Sequence, residues 1–211
     1  MQILLIRHGQ SEADLLNVHE GSADYPLTQE GTYQAIRMAD RVLKEFPPEY
    51  IWASTQKRAT KTAQILADKI GCPIEFVKDL REHDNGHLAG KSKKEVPFPW
   101  GIQPHEKFGE IGESAMEFRL RGEQILSVIR EKSKSHQRIA IVSHGGMISR
   151  LIESFLGLPS YYDILFKTDD TGIHLLEYTD KGRVIHFSNS STHLDSVLAS
   201  GSNKEVEPHV N

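Results

Sequence analysis

Cysteine is almost missing from this sequence of 211 residues, which contains only Cys72. A single cysteine forms no intramolecular disulfide and supplies no cysteine-based metal framework. Long hydrophobic runs are missing too, since none approaches the ~20 residues needed to span a bilayer. No signal-peptide pattern precedes the first apolar run. We therefore expect a cytoplasmic protein that does not engage a membrane.

Excess positive charge is also absent. Lysine and arginine total 25 against 29 aspartate and glutamate residues, which gives a net charge of −4. Such a balance provides no basic field for nucleic acid, so we expect no nucleic-acid partner. The length suits one domain, which we predict over residues 1–195. The polar residues 196–211 predict a flexible C-terminal tail. No apolar stripe indicates an oligomeric state.

Apolar runs of strand length alternate with amphipathic helical patterns along most of the chain. The predicted strands cover residues 2–6, 50–54, 73–77 and 138–143, and a hairpin follows at 172–178 and 183–188. The predicted helices begin after Thr28, near Arg58, near Ser114 and after His144. This alternation is typical of an α/β fold with a mainly parallel sheet. Residues 86–112 keep no period and contain proline and glycine, so they predict a lid-like excursion over the surface.

Charged and polar side chains follow the predicted strands at the points where the strands end. Arg7 and His8 follow the first strand. Arg58 opens the helix after the second strand, and His144 follows the fourth. Ligands of parallel α/β sheets bind beyond the carboxyl ends of the strands, so we expect these four side chains to converge. Two guanidinium groups match the oxygens of a phosphoryl group, and the helix that begins at Gly145 points its positive end toward an anion.

The two histidines add reactivity to binding. A neutral imidazole is a competent nucleophile toward phosphorus, and a second imidazole can donate a hydrogen bond to the equatorial oxygens. A carboxylic acid is still needed to protonate the leaving oxygen and then to deprotonate water. Glu82 and Asp84 both lie just after the third strand, and these considerations do not choose between them.

Four sequence blocks occur together in an order and at separations that are typical of a known family. The blocks are RHGQSE (7–12), STQKRATKTA (54–63), LREHDNGHLAG (80–90) and VSHGG (142–146). Over residues 2–193 the chain resembles the histidine phosphatase superfamily, also called phosphoglycerate-mutase-like, and in particular its small bacterial phosphatases. The resemblance implies a three-layer α/β sandwich with a mixed, mainly parallel sheet between helices. It also implies a reaction that needs no metal and no cofactor.

The resemblance assigns roles to five residues of these blocks. It implies that His8 is the phosphorylated nucleophile and that Glu82 is the proton donor and acceptor. It implies that Arg7, Arg58 and His144 form the phosphate pocket.

Six further residues are candidate substrate or phosphate contacts. They are Gln10, Ser11, Asp14, Gly21, Ser22 and Gly145. Gly21 and Ser22 match the family's loop that touches phosphate and substrate. Asp14 stands six positions after the nucleophile, where the family often has asparagine. A carboxylate there repels a dianion, so Asp14 faces away, is neutral, or selects substrates.

Within this family we expect net hydrolysis of a small phosphorylated metabolite. Mutases resemble the chain but usually carry a longer basic segment after the proton donor, whereas residues 91–107 are short and broken by proline. Protein phosphohistidine phosphatases are an alternative, but they are shorter and lack most of the excursion. A metallohydrolase would recruit His8, His144 and scattered carboxylates, and it would lose activity in a chelator. A non-catalytic module that binds a phosphometabolite is the most distant alternative, because it would be expected to lack the nucleophile or an arginine.

Overall fold

The computed structural model describes residues 1–97, 102–108, 110–159 and 164–195. The strands in chain order are β1 (Gln2–Arg7), β2 (Tyr50–Ser54), β3 (Ile74–Val77), β4 (Arg138–Ser143), β5 (Ile173–Thr179) and β6 (Gly182–Ser190). The α-helices are α1 (Glu12–Leu16), α2 (Gln29–Glu45), α3 (Lys57–Ile70), α4 (Ala115–Lys132) and α5 (Gly145–Leu156). Within these ranges, no helix is both long and apolar enough to cross a membrane.

The strands form one mixed sheet in the order β3-β2-β4-β1-β5-β6. The pairs β2–β3, β2–β4 and β1–β4 are parallel, whereas β5 runs antiparallel to both β1 and β6. The parallel strands therefore bring their carboxyl ends to one edge of the sheet. Arg7 pairs with Ser143 across β1 and β4, so His8 and His144 leave the sheet side by side. The predicted mainly parallel α/β fold is confirmed.

Helices cover both faces of the sheet. Alternate side chains along β1 point to opposite faces and pack against different helices. Ile3 and Leu5 pack into a core cluster with residues of α4 and α5. Leu4 and Ile6 point the other way, into a cluster with residues of α2 and α3. All four side chains are fully buried, and each such burial contributes about 1.5–3 kcal/mol. This is the three-layer arrangement that the resemblance implied.

Most helix ends follow from local sequence signals. The hydroxyl of Thr28 accepts the backbone N–H of Gly31 at 2.9 Å and caps α2. Ser114 and Glu117 form a capping box at the start of α4. Gly71 and Gly157 end α3 and α5 in the left-handed region, with φ of 76° and 70°.

The short helix α1 lies in a segment for which the sequence predicted only a loop. Its Leu15 and Leu16 are 68% and 58% exposed, so no buried face gave it a periodic pattern. At its N-terminus the backbone N–H of Ser11 donates to Asp14 Oδ2 at 2.8 Å. This Ser-x-x-Asp spacing is the sequence feature that could have predicted the start of a helix here.

The predicted lid-like excursion, residues 86–112, is described except for residues 98–101 and 109. A single bridge between Val18 and Ser92 and a bond from His19 N–H to the carbonyl of Lys91 (2.9 Å) join it to the loop after α1. Phe108 is only 8% exposed. The described part therefore packs on the loops at the carboxyl edge, and its action as a lid stays a prediction. The predicted tail, residues 196–211, lies outside the described residues.

Candidate active site

The backbone that follows β1 and β4 places two histidine rings in contact. The ring centroids of His8 and His144 are 5.0 Å apart, and the ring planes meet at 62°. Both side chains are fully buried. The backbone N–H of His8 donates to the carbonyl of Ser143 at 3.0 Å, which holds the two strand ends together. Two imidazoles thus lie at the centre of the carboxyl edge.

Hydrogen bonds define the tautomer of His8. Its Nδ1 lies 2.8 Å from the carbonyl oxygen of Gly9. Because a carbonyl only accepts, Nδ1 carries the proton and Nε2 keeps its lone pair. The Nε–H of Arg58 points at that lone pair from 3.1 Å. His8 therefore presents an unprotonated nitrogen beside a fixed cation.

Arg58 lies in the first turn of α3 and is fully buried. Its Nη1 donates to the carbonyl of Ala23 at 2.9 Å, and its Nη2 donates to the carbonyl of Gly21 at 3.4 Å. The side-chain amide of Gln56 also donates to the carbonyl of Gly21, at 2.9 Å. Backbone carbonyls thus satisfy a guanidinium that would be costly to bury alone.

Arg7 approaches the histidines from the other side. Its Nη1 donates to the carbonyl of Thr168 at 2.8 Å, and its Nη2 lies 3.3 Å from Asp170 Oδ1. Its Nε is buried and has no hydrogen-bond partner in the described part of the chain. Burial raises the pKa of the Asp170 carboxyl to about 6, against the opposing effect of Arg7. Arg7 is therefore anchored at one end while its Nε stays available.

Burial and the two arginines lower the pKa values of both central histidines. Burial is the larger cause, and Arg58 is the next, for His8 and for His144. Both values lie well below the ordinary imidazole value of 6.5. Each ring is consequently neutral at neutral pH and stays neutral into the acidic range.

We expect NMR titration of the imidazole carbon signals to show this directly. The signals of His8 and His144 should change with midpoints below pH 6.5, because burial, and after it the charge of Arg58, opposes protonation of either ring. The variant His8→Gln assigns one signal by its loss. A midpoint above pH 6.5 for the assigned signal would contradict a neutral His8 ring at neutral pH.

Glu82 binds the N-terminus of α5. Its Oε2 accepts the N–H of Gly146 at 2.9 Å, and its Oε1 accepts the N–H groups of Met147 at 3.1 Å and His83 at 2.9 Å. A Cβ atom on Gly146 would lie 2.5 Å from Glu82 Oε1, so a side chain there would displace the carboxylate. The second glycine after His144 therefore lets a carboxylate reach the positive end of the helix.

Asp84, the other carboxylate of this segment, serves a turn. Its Oδ1 accepts the backbone N–H of Gly86 at 3.1 Å. Its own N–H donates to Glu113 Oε2 at 3.1 Å. Glu82 lines a cavity together with Glu20 and Gly21, whereas Asp84 is not among the described residues that line it.

The loop of Gly21 and Ser22 closes over Arg58. Gly21 has φ of 46°, and a Cβ on it would overlap the side chain of Asn85. The backbone N–H of Ser22 donates to Asn85 Oδ1 at 3.3 Å, and the Ser22 side chain is exposed. Asn85 holds this loop, and sequence reasoning did not single it out.

Of the remaining candidate contacts, Ser11, Asp14 and Gly145 lie at the starts of helices, and Gln10 lies in the loop between β1 and α1. Gly145 is the first residue of α5, directly after His144. The exposed Asp14 binds the backbone and hydroxyl of Ser11, at 2.8 and 3.1 Å, and so faces its own helix. The Gln10 side-chain oxygen accepts the hydroxyl of Thr28 at 2.9 Å.

Sequence reasoning missed two side chains that touch the centre. Glu20 Oε2 lies 3.9 Å from His8 Nε2, and its Oε1 lies 3.7 Å from Arg58 Nε. The sequence feature that could have identified Glu20 was its position directly before Gly21. The hydroxyl of Ser54 lies 2.8 Å from His144 Nε2. The sequence feature that could have identified Ser54 was its position as a polar residue at the end of a buried strand.

One ring nitrogen of His144 has no partner among the residues that the structure describes. Its Nδ1 is buried and makes no hydrogen bond within the described ranges, while Ser54 contacts the other nitrogen. Among the same residues, no group of three or more His, Cys, Asp or Glu side chains is placed to hold a metal ion.

The sheet order, with two histidines and two arginines at its carboxyl edge, defines a phosphoglycerate-mutase-like α/β protein. The chain belongs to the histidine phosphatase superfamily (branch 1), whose family model matches residues 3–191. The chain is 29% identical over 208 residues to "Probable phosphoglycerate mutase GpmB" of Enterobacter sp. (strain 638), covering 93% of this chain and 96% of that protein. The family assignment makes the chain a histidine phosphatase family enzyme.

Solved structures agree with this fold. The alpha-ribazole phosphatase from Shigella flexneri superposes with a TM-score of 0.81 at 25% identity, over 90% of this chain and 97% of that chain. The phosphoserine phosphatase from Entamoeba histolytica, in complex with 3-phosphoglyceric acid, gives a TM-score of 0.74 at 25% identity, over 92% and 98%. Relatives of this chain thus include named phosphatases and a named mutase.

Proposed function

We propose that this chain is a metal-independent phosphatase that hydrolyses small phosphate monoesters through a phosphohistidine on His8. The observation that carries the proposal is the tautomer of His8, whose Nε2 keeps a lone pair because Nδ1 donates to the carbonyl of Gly9 at 2.8 Å. That nitrogen lies beside Arg58 and against His144. A neutral nucleophile between two arginines is suited to attack a phosphoryl dianion.

In the first step the lone pair of His8 Nε2 forms a bond to phosphorus while the bond to the leaving oxygen breaks. In this proposal three groups bind the phosphoryl oxygens. One is the Arg58 guanidinium, and the other two are Arg7 Nε and His144 Nδ1, which have no hydrogen-bond partner in the described part of the chain. The N-terminus of α5 adds its positive end. The positive charge that develops on the His8 ring is stabilised by the bond from Nδ1–H to Gly9.

Glu82 moves the protons in both steps. Its carboxyl group gives a proton to the leaving oxygen, and its carboxylate then takes a proton from water as the water oxygen bonds to phosphorus and the P–N bond breaks. Inorganic phosphate leaves, and His8 returns to its neutral form. Glu82 is favoured over Asp84 because Glu82 lines the cavity, whereas Asp84 Oδ1 holds a turn at Gly86.

Two observations support hydrolysis of a small metabolite. The cavity beside Glu82 has a volume of about 380 Å³, which suits a small leaving group. The two solved structures compared above are named as phosphatases. The name of the curated relative favours the second candidate, transfer of the phosphoryl group between positions of a phosphoglycerate.

Product analysis with and without a chelator tests this proposal. We expect the enzyme to release inorganic phosphate from p-nitrophenyl phosphate at an unchanged rate in EDTA, because His8 and not a metal-bound water is the nucleophile. With 2-phosphoglycerate, we expect phosphate to exceed any 3-phosphoglycerate formed. Loss of activity in EDTA would replace the mechanism with a metal-dependent one, and dominant isomerisation would identify a mutase.

A further inference from the structure

The cavity beside Glu82 carries a buried cation that the proposed chemistry does not use. Phe108, Phe118 and Leu165 form an apolar part of its lining, and Arg150 contributes a guanidinium. If Glu82 protonates the leaving oxygen, the leaving group must lie in this cavity, so the inference below rests on the proposed function. The chemistry of the cavity then selects the substrate.

Arg150 is built into this cavity. It lies four residues after Gly146 on α5, which puts it one turn along the same helix face as the residue that binds Glu82. Its side chain is 9% exposed. A Cβ on Gly122 would lie 2.6 Å from Arg150 Cβ, so close packing of α4 on α5 fixes its position.

The protein leaves part of this guanidinium unsatisfied. Its Nη2 lies 2.6 Å from Glu153 Oε1, and its Nε is buried with no hydrogen-bond partner in the described residues. Glu153 is fully buried and is shared with Arg119, whose Nε is 3.3 Å away. One buried carboxylate thus lies within ion-pair distance of two guanidinium groups, and its two oxygens also form no hydrogen bond within the described residues. A buried N–H without an acceptor is costly unless a ligand supplies one.

His83, another residue that lines this cavity, also has a ring nitrogen with no hydrogen-bond partner in the described residues. Nε2 of His83 is buried and unbonded within the described ranges, and the ring packs on Phe108 and Phe118 with centroids 4.5 and 4.8 Å away. Burial lowers the pKa of His83, so this ring is neutral and adds a polar contact without a charge. The exposed Lys93 adds positive charge at the same cavity.

We propose that Arg150 is a specificity-determining residue that binds an anionic oxygen group on the leaving group of the phosphate monoester. The preferred substrates are then phosphate esters of small acids, in which a carboxylate or a second phosphate accepts the Nε–H of Arg150. A monoester with an uncharged leaving group leaves that N–H unsatisfied and is the poorer substrate.

Matched substrate pairs test the proposal in the wild-type enzyme. 3-Phosphoglycerate against glycerol 3-phosphate compares a carboxylate with a hydroxymethyl group, and propane-1,3-diol bisphosphate against its monophosphate compares a second phosphate with a hydroxyl. We expect kcat/KM to favour the anionic member of at least one pair by tenfold or more, and the pair that shows it identifies the group. Ratios near one in both pairs overturn the proposal.

Substitutions then assign the preference to Arg150. We expect Arg150→Met to reduce the preferred ratio at least tenfold and Arg150→Lys to reduce it less, because lysine keeps the charge without the Nε–H. Arg130→Met, at an exposed position on the neighbouring helix α4, should leave the ratio unchanged. An unchanged ratio in folded Arg150→Met overturns the proposal, and if that variant fails to fold, an unchanged ratio in Arg150→Lys does so.

Calorimetry separates this proposal from the proposed function. Binding of the same substrate pairs is measured in His8→Asn, in which no phosphoryl transfer is expected. A binding preference for the anionic member that is lost when Arg150→Met is added supports the role of Arg150, even if wild-type turnover fails. Equal binding of both members overturns that role, even if wild-type turnover succeeds.

Discussion

The variant His8→Ala is expected to lose turnover of p-nitrophenyl phosphate by about 10³-fold or more, because it lacks the atom that forms the bond to phosphorus. No neighbouring group replaces it readily. The other central imidazole, His144, holds its Nε2 on the hydroxyl of Ser54 at 2.8 Å. Steady-state kinetics measure the loss, with the exposed His87→Ala as the matched histidine control.

Trapping the proposed phosphohistidine intermediate tests the role of His8 without relying on turnover rates. A single turnover that is quenched in alkali should leave a phosphoryl group on His8, since the P–N bond is stable in base and labile in acid. The His8→Ala protein should carry no such group. Retention of more than a few per cent of activity by His8→Ala, or a phosphoryl group on His144, would remove His8 from the role of nucleophile.

The edge of the site could be located from sequence because of how parallel sheets are built. Arg7, His8 and His144 each follow an apolar run, and parallel strands end at a common edge. The apolar runs that end in charged residues therefore predicted both the α/β fold and the edge of the sheet where these charged side chains meet. The covering of the sheet on both faces followed from the same continuous apolar runs.

Contacts between loops could not be read in this way. Glu20 reaches His8 and Arg58 only because Gly21 and the carbonyl of Ala23 wrap around the guanidinium of Arg58. Neither the hydrophobic periodicity nor the spacing of motifs in the sequence predicts such a contact. The choice between Glu82 and Asp84 likewise depended on where the N-terminus of α5 lies.

The charge balance around His8 explains how the buried Arg58 and the half-buried Arg7 are tolerated without strong repulsion. Asp170 lies 3.3 Å from Arg7, and Glu20 lies 3.7 Å from Arg58. Under the proposed function, a phosphate dianion competes with both carboxylates for the same guanidinium groups. Because burial raises the pKa of Asp170 to about 6, mildly acidic conditions weaken its hold on Arg7. The paired carboxylates therefore belong to the proposed phosphate site, although they would bind none of the phosphate oxygens.

The variant Glu82→Gln is expected to lower the turnover rate most for substrates whose leaving oxygen is most basic and therefore most needs protonation. An alkyl phosphate such as glycerol 3-phosphate should lose about 10²–10⁴ in kcat, the usual contribution of a general acid. The loss with p-nitrophenyl phosphate should be much smaller, because p-nitrophenolate leaves without a proton. Transient release of p-nitrophenol, followed by release of phosphate, measures the two steps separately.

The structure supplies the control that this experiment needs. Glutamine keeps an oxygen for the N–H of Gly146 or Met147 but turns its NH₂ group toward the other N–H, so the variant should also be less stable. Thermal unfolding measures that effect separately from catalysis. Asp84→Asn removes the neighbouring carboxylate, whose Oδ1 accepts from Gly86, and should show no dependence on the leaving group. If Asp84→Asn shows the dependence and Glu82→Gln does not, the proton comes from Asp84, and the bonds of Glu82 to α5 serve only the fold.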